Sequence, residues 1–272
     1  MSNDNIPTAP DTPLALAATH EFPDQLTPVA LEQILPAFYR AWLHLRGAAP
    51  PRSAVELMTA QWAGEVAWGE KCHDYNVGNA KAVSGGAYDW TFFTCGEELT
   101  LAYAEQLCAG SPLVQVVGQY TMNGRAMASV RISPKHSGCC FRAFSDLLAG
   151  VTDHVSLLER RFPAAFEALW SGSPAAYAHA LKLGGYYTAM EAKYSALLVG
   201  CMPRVKAAAD QVDWNSLPVL NDYEAGNVMA VAAMADEDLQ AAMIRERDAD
   251  ILERDLEDML SWPLKADPAL FG

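Results

Sequence analysis

One acid stands on an apolar helical stripe in the segment SAVELMTAQWAGEVAWG, residues 53–69. Val55, Met58, Trp62, Glu65 and Gly69 follow at intervals of three and four, so they share one face of a helix. Burial there disfavours the charged form of Glu65, and the last helical turn lies at the negative end of the helix dipole. Both effects raise its pKa and suit it to hold a proton near neutrality, the property of a general acid. Taken alone, the same residue also fits a solvated helix position or a buried acid paired with a cation elsewhere in the chain. His136, Cys139 and Cys140 resemble part of a metal site, but no CxxC or second ligand pair accompanies them, so no metal or cofactor is expected.

The positioning elements can be read from the period of the apolar residues. Leu31, Ile34, Leu35, Phe38, Trp42 and Leu45 predict an amphipathic helix between Pro28 and Arg46. Ser53 and Glu56 have capping-box spacing at the start of the Glu65 helix, and Gly69 is its expected stop. Residues 72–94 read as irregular, with a short strand at Asp89–Thr94, and Leu99–Ala109 reads as a short helix. The valine-rich runs Leu113–Tyr120 and Arg125–Ile132 flank a Met122-Asn123-Gly124 turn and predict a β-hairpin. Beyond Phe141, Ser145 is the expected cap of a helix that turns Leu147, Leu148, Val151, Val155 and Leu158 inward. Ser173-Pro174 opens another, which ends at Gly184-Gly185. Helices, a small sheet and helices again make an α+β order.

Residues 1–26 lack periodicity and read as a flexible leader, 27–205 as the folded core, and 206–272 as a helical acidic extension. Between Asp236 and Asp258 stand ten acidic and three basic residues, half of the chain's net charge of −14. That stretch reads either as a solvated helix face or as a docking surface. The net charge and a pI near 4.7 argue against a nucleic-acid partner. No apolar run reaches the roughly 18 residues of a membrane span, and no Sec-type signal is visible. The six cysteines are too sparse for a disulfide scaffold and are expected as free, mostly buried thiols.

AQWAGEVAWG followed by YNVGNAKA resembles the signature of the glycoside hydrolase family 73 glucosaminidases, close to AQxALExGWG then YNxFGxKA. That group includes the flagellar rod-associated peptidoglycan hydrolases. FRAFSDLLAGVTDHVSLL and AAYAHALKLGGYYTAMEAKYSALL are similar to two later family segments, in the same order, so the resemblance covers residues 53 to about 205. It implies a lysozyme-like fold, a helical lobe and a small β-lobe with a cleft between them. It also implies Glu65 as the catalytic acid and Tyr186 as the cleft tyrosine, with Tyr187 beside it. Tyr75, Asn76 and Lys81 match the family's YN-K segment. Trp68 and Trp90 could stack on sugar rings or pack in the core.

The family's second carboxylate precedes an N-G turn in the β-lobe. Aligning FFTCGEELT assigns it to Glu97, then Glu98, with a helix inserted afterwards. The same two acids could instead favour the N-terminus of that helix. Aligning on Asn123-Gly124 leaves Gln119-Tyr120 there and no acid. The family's T-D-P has become Thr188-Ala189-Met190, which removes a further acid.

The implied activity is an endo-acting β-N-acetylglucosaminidase cutting the glycan strands of peptidoglycan. A muramidase or lytic transglycosylase of the same fold is the near alternative. The distant one is a non-catalytic glycan-binding or structural part of a phage or injection apparatus. The expected route is synthesis in the cytoplasm and delivery to the periplasm or cell wall without Sec, as an effector or endolysin. Such delivery implies a secretion or phage apparatus, or an immunity protein, as further partners.

Overall fold

The helix-period and strand-period stretches of the sequence build a larger helical core and a smaller sheet core, beside a third cluster of Tyr88, Phe144, Ala149 and Val231. The computed structural model describes residues 19–82, 87–122, 124–187, 190–217, 220–221, 224–226 and 228–234. The acidic stretch from Asp236, residues 1–18 and the positions Asn123, Thr188 and Ala189 lie outside the described residues.

The larger core is helical. Helix α1 (Leu31–Arg46) buries Ile34, Leu35, Phe38, Ala41 and Trp42 and stops at Gly47, whose left-handed backbone (φ +64°) caps the last turn. Helix α2 (Arg52–Glu65) runs through the centre, with every residue from Ala54 to Ala63 buried. Around it pack α4 (Leu147–Arg161), α5 (Pro163–Ala168), α6 (Pro174–Leu183) and α7 (Glu191–Ala209). Trp42 stacks on Phe166 with ring centres 4.7 Å apart.

The smaller core belongs to a three-stranded antiparallel sheet. Strands β2 (Cys95–Thr100), β3 (Val114–Met122) and β4 (Arg125–Ile132) lie in the order β2-β4-β3, so the predicted hairpin occupies one side. Helix α3 (Leu101–Gly110) sets Ala104 against Val114, Ala128, Val130 and Ile132. A short ladder of β1 (Trp90–Phe92) and β5 (Cys140–Arg142) leads back to the helices. At that junction the Arg142 guanidinium donates to Asp153 of α4 at 2.5 Å, both buried. Helices segregated from small antiparallel sheets make this an α+β fold.

Several local expectations need correction. Pro51, not Ser53, stands before α2; Ser53 lies inside the helix, and Glu56 accepts from Arg52 at 2.7 Å instead of closing a capping box. Helix α2 ends at Glu65 rather than at Gly69, because Ala67 and Trp68 turn left-handed (φ +48° and +60°). Residues 95–100, not expected as a strand, pair along their whole length with β4. Residues 20–26, assigned to the leader, are tied to the core: the Phe22 amide donates to the Trp90 carbonyl at 2.7 Å, and the Asp74 amide to that of Gln25 at 2.9 Å. The expected boundary at residue 205 falls inside α7.

The cap of α4 is Asp146, whose carboxylate accepts from the Ala149 amide at 2.9 Å; Ser145 is its neighbour. Asp146→Ala is therefore expected to cost about 1 kcal/mol in urea unfolding, and Ser145→Ala only a few tenths. Equal losses would return the cap to Ser145.

Candidate active site

Glu65 is the last residue of α2 and lines a cavity of about 720 Å³ whose walls come from both cores. The helix end is held by Asn79, whose side-chain amide donates to the Glu65 carbonyl at 2.7 Å. Gly64, just before it, leaves room for α7: a Cβ there would stand 2.7 Å from the Leu197 side chain. One turn earlier on α7, the Tyr194 hydroxyl donates to Glu65 Oε1 at 2.8 Å.

Burial raises the Glu65 pKa, and the Tyr194 hydrogen bond, which stabilises the carboxylate, opposes that rise. Burial also pushes the Tyr194, Tyr186 and Tyr177 hydroxyls well above the usual phenol range, reinforced by the Glu65 charge. All three stay protonated and can only donate or bridge.

Tyr186 and Tyr187 form the adjoining wall. The Tyr186 hydroxyl donates to the Gly78 carbonyl at 3.1 Å, and its ring meets Phe162 edge-on at 5.1 Å. Tyr187 stacks on Tyr194 with ring centres 3.9 Å apart, and its hydroxyl donates to the Ala178 carbonyl at 2.9 Å. The aromatic wall is thus fixed at its polar tips, which leaves little to order when a ligand binds.

Glu97 of β2 lines the same cavity, with Lys81 Nζ 3.3 Å away. The same ammonium donates to the Gly138 carbonyl at 2.6 Å and lies 4.1 Å from the centre of the Phe141 ring. Strand alternation sends Glu98 to the other face of β2, where it accepts from Tyr120 and, at 2.9 Å, from Ser129. Of the two acids, Glu97 alone shares the cavity with Glu65.

The remaining candidates do not line it. Asn76 is buried, and its amide shapes a loop, bonding the Ala80 amide, the Ala80 carbonyl and the Arg142 carbonyl at 2.8–3.0 Å. Trp68 packs on the helical core with the Arg204 guanidinium 4.1 Å from its ring centre. Tyr75 likewise packs on that core, with left-handed backbone. Trp90 is spent in β1, pairing with Arg142 on one side and bridging Glu21 on the other.

Sequence reading missed Tyr194 as the partner of Glu65, although it lies in AAYAHALKLGGYYTAMEAKYSALL, seven residues after Tyr187. It also missed Asn79, which sits inside YNVGNAKA.

Cysteine chemistry does not suit the cavity. Burial and the neighbouring Cys139 thiol, 3.2 Å away, push the Cys95 thiol up to about 12, so it stays protonated and a poor nucleophile. Among the described residues, no group of three or more His, Cys, Asp or Glu side chains could hold a metal ion. No described helix is long and apolar enough to cross a membrane.

A half-buried carboxyl whose pKa is raised by burial, sharing a cavity with a second carboxylate and an aromatic wall, is arranged to protonate a leaving oxygen and to stabilise positive charge at the adjacent carbon.

Tyr194→Phe removes the interaction that lowers the Glu65 pKa. The Glu65 carboxyl, followed by carbon-13 NMR, should therefore titrate at higher pH in the variant. An unmoved or lowered titration would mean that Tyr194 does not stabilise the Glu65 carboxylate.

Comparisons with protein-family models, with curated proteins and with solved structures find no match for this chain.

Proposed function

We propose that this chain is a peptidoglycan hydrolase, an endo-β-N-acetylglucosaminidase of lysozyme-like fold with Glu65 as its general acid. The observation that carries the reading is Glu65 itself: a half-buried acid at a helix end, its pKa raised by burial, lining a large cavity between a helical body and a β-lobe. The four ordered segments resembling the family 73 glucosaminidases support the same assignment.

In this reading a glycan strand lies in the cavity with a glycosidic oxygen beside Glu65. The carboxyl gives its proton to that oxygen as the bond to the anomeric carbon breaks. Glu97 faces the positive charge that develops there, as electrostatic stabiliser, nucleophile or base. Where Glu97 stabilises, the Glu65 carboxylate takes a proton from the entering water, whose oxygen bonds to the anomeric carbon, and the acid is regenerated. Tyr186 and Tyr187 bound the space for the sugar.

One arrangement favours a neighbouring chemistry. Glu97 is engaged by Lys81, and the aromatic wall leaves Glu65 as the enclosed acid, a layout that also serves a lytic transglycosylase, in which the substrate's own hydroxyl displaces the bond. Digestion of purified sacculi followed by borohydride reduction and mass spectrometry separates the possibilities. Reduced N-acetylglucosamine termini are expected. N-acetylmuramic acid termini would make the protein a muramidase, and 1,6-anhydro termini a transglycosylase.

A further inference from the structure

The junction between the sheet and the cavity brings two thiols together. Cys95 opens β2 and pairs across the sheet with Ile132, the last residue of β4. Cys139 closes the short turn Ser137–Cys139 that leads into β5, and its thiol donates to the Ile132 carbonyl at 3.1 Å. Both cysteines therefore sit at one end of the sheet, 44 positions apart in sequence, with their Sγ atoms 3.2 Å from each other. A disulfide needs about 2.0 Å between sulfurs, so roughly 1 Å remains to be closed by side-chain torsion.

The two thiols differ in access. Cys95 is half-buried and lines the cavity, whereas Cys139 is fully buried in the sheet core. An oxidant entering the cavity meets Cys95 first, with Cys139 directly behind it. The Lys81 ammonium, 3.6 Å from Cys95 Sγ, favours the thiolate at the moment of attack. Burial raises the Cys95 thiol and so slows that attack, but the same effect makes its sulfur a poor leaving group and resists reduction once a bond has formed.

We infer that Cys95 and Cys139 form a disulfide under oxidising conditions and that this bridge staples the sheet to the cavity wall. The oxidant is an organic disulfide, of which oxidised glutathione is the simplest probe. Cys95 sulfur attacks one of its sulfurs, forming a mixed disulfide and releasing one thiol, which takes the Cys95 proton. Cys139 sulfur then attacks Cys95 Sγ, gives up its proton and displaces the second thiol. Two electrons pass to the oxidant and the chain loses two hydrogens.

The bridge acts where the fold has little else to hold it. The sheet core is small, built on Ala104, Val114, Ala128, Val130 and Ile132, and a cross-link gains most when it closes a long loop. Glu97 follows Cys95 by two residues, and the Gly138 carbonyl, next to Cys139, holds the Lys81 ammonium that pairs with Glu97. Closing the bridge ties the strand that carries Glu97 to the turn that holds its partner.

The test exposes the full-length, fully reduced protein to oxidised glutathione and then alkylates it under denaturing conditions. Two of the six cysteines should escape alkylation, and tandem mass spectra of the cross-linked fragment should place the bridge between Cys95 and Cys139. Cys140→Ala should keep the cross-link, whereas Cys139→Ala should lose it and trap glutathione on Cys95. The bridged protein should melt roughly 5–10 °C above the reduced one, a gap that Cys95→Ala abolishes.

Six alkylated cysteines, a bridge to Cys140, or glutathione retained on Cys95 of wild type would overturn the inference. Equal melting of bridged and reduced protein would overturn the stapling role. None of these readouts uses turnover, so the bridge and the hydrolase reading stand or fall separately.

Discussion

Glu65→Gln is expected to lower turnover of soluble peptidoglycan strands by roughly a thousandfold, within the 10²–10⁴ that a positioned acid supplies. The amide keeps the size of the side chain and can still accept from Tyr194, but it has no proton to give. Substrate binding should therefore survive while kcat falls. Loss of binding with kcat retained would identify Glu65 as a ligand contact instead of the acid.

The same substitution should change how stability responds to pH. The folded-state pKa of Glu65 lies above its unfolded value because burial disfavours the charge. The stability it contributes is complete below the unfolded pKa and is lost as pH rises through the folded one. Gln has no charge to bury, so the variant should gain on wild type as pH rises through that range. Unfolding midpoints across pH would read the crossover.

The second large effect is expected at Gly69. Its backbone is left-handed (φ +89°), and a Cβ there would stand 2.0 Å from the Val29 carbonyl oxygen and 2.9 Å from the Trp62 ring. Strain and clash add, so Gly69→Ala should cost roughly 3 kcal/mol or more in urea unfolding. Gly47 provides the comparison, since it is also left-handed (φ +64°) but a Cβ there would meet nothing within 4 Å. Gly47→Ala should lose only about 1 kcal/mol. Equal losses would mean that the close approach of residue 69 to Val29 contributes nothing. The loss matters beyond stability, because the turn through Gly69 fixes the backbone between Glu65 and Cys72.

Glu65 was legible in the sequence because a helical period reports which face a residue occupies, whatever the tertiary partners are. Its hydroxyl partner was not, because Tyr194 lies 129 positions away and meets it only once α7 packs on α2. The choice between Glu97 and Glu98 turns on strand alternation. That rule could not be applied to Cys-Gly-Glu-Glu-Leu-Thr, which has a glycine, two acids and weak strand propensity. Pairing with β4 overrides that local preference and sorts the two acids to opposite faces. Trp68 was left open between a sugar platform and the core for a different reason: two consecutive left-handed residues turn the chain there, and the ring packs on the helical core. The error at Ser145 is smaller in kind, since two adjacent side chains can both cap a helix, and only the observed bond from the Ala149 amide distinguishes them.

Whether Glu65 drives cleavage of peptidoglycan glycan is tested most directly by sacculi digested in parallel with wild type and Glu65→Gln. Reduced, soluble fragments ending in N-acetylglucosamine are predicted from wild type and not from the folded variant. No fragments from folded wild type, or the same fragments from both proteins, would contradict that role.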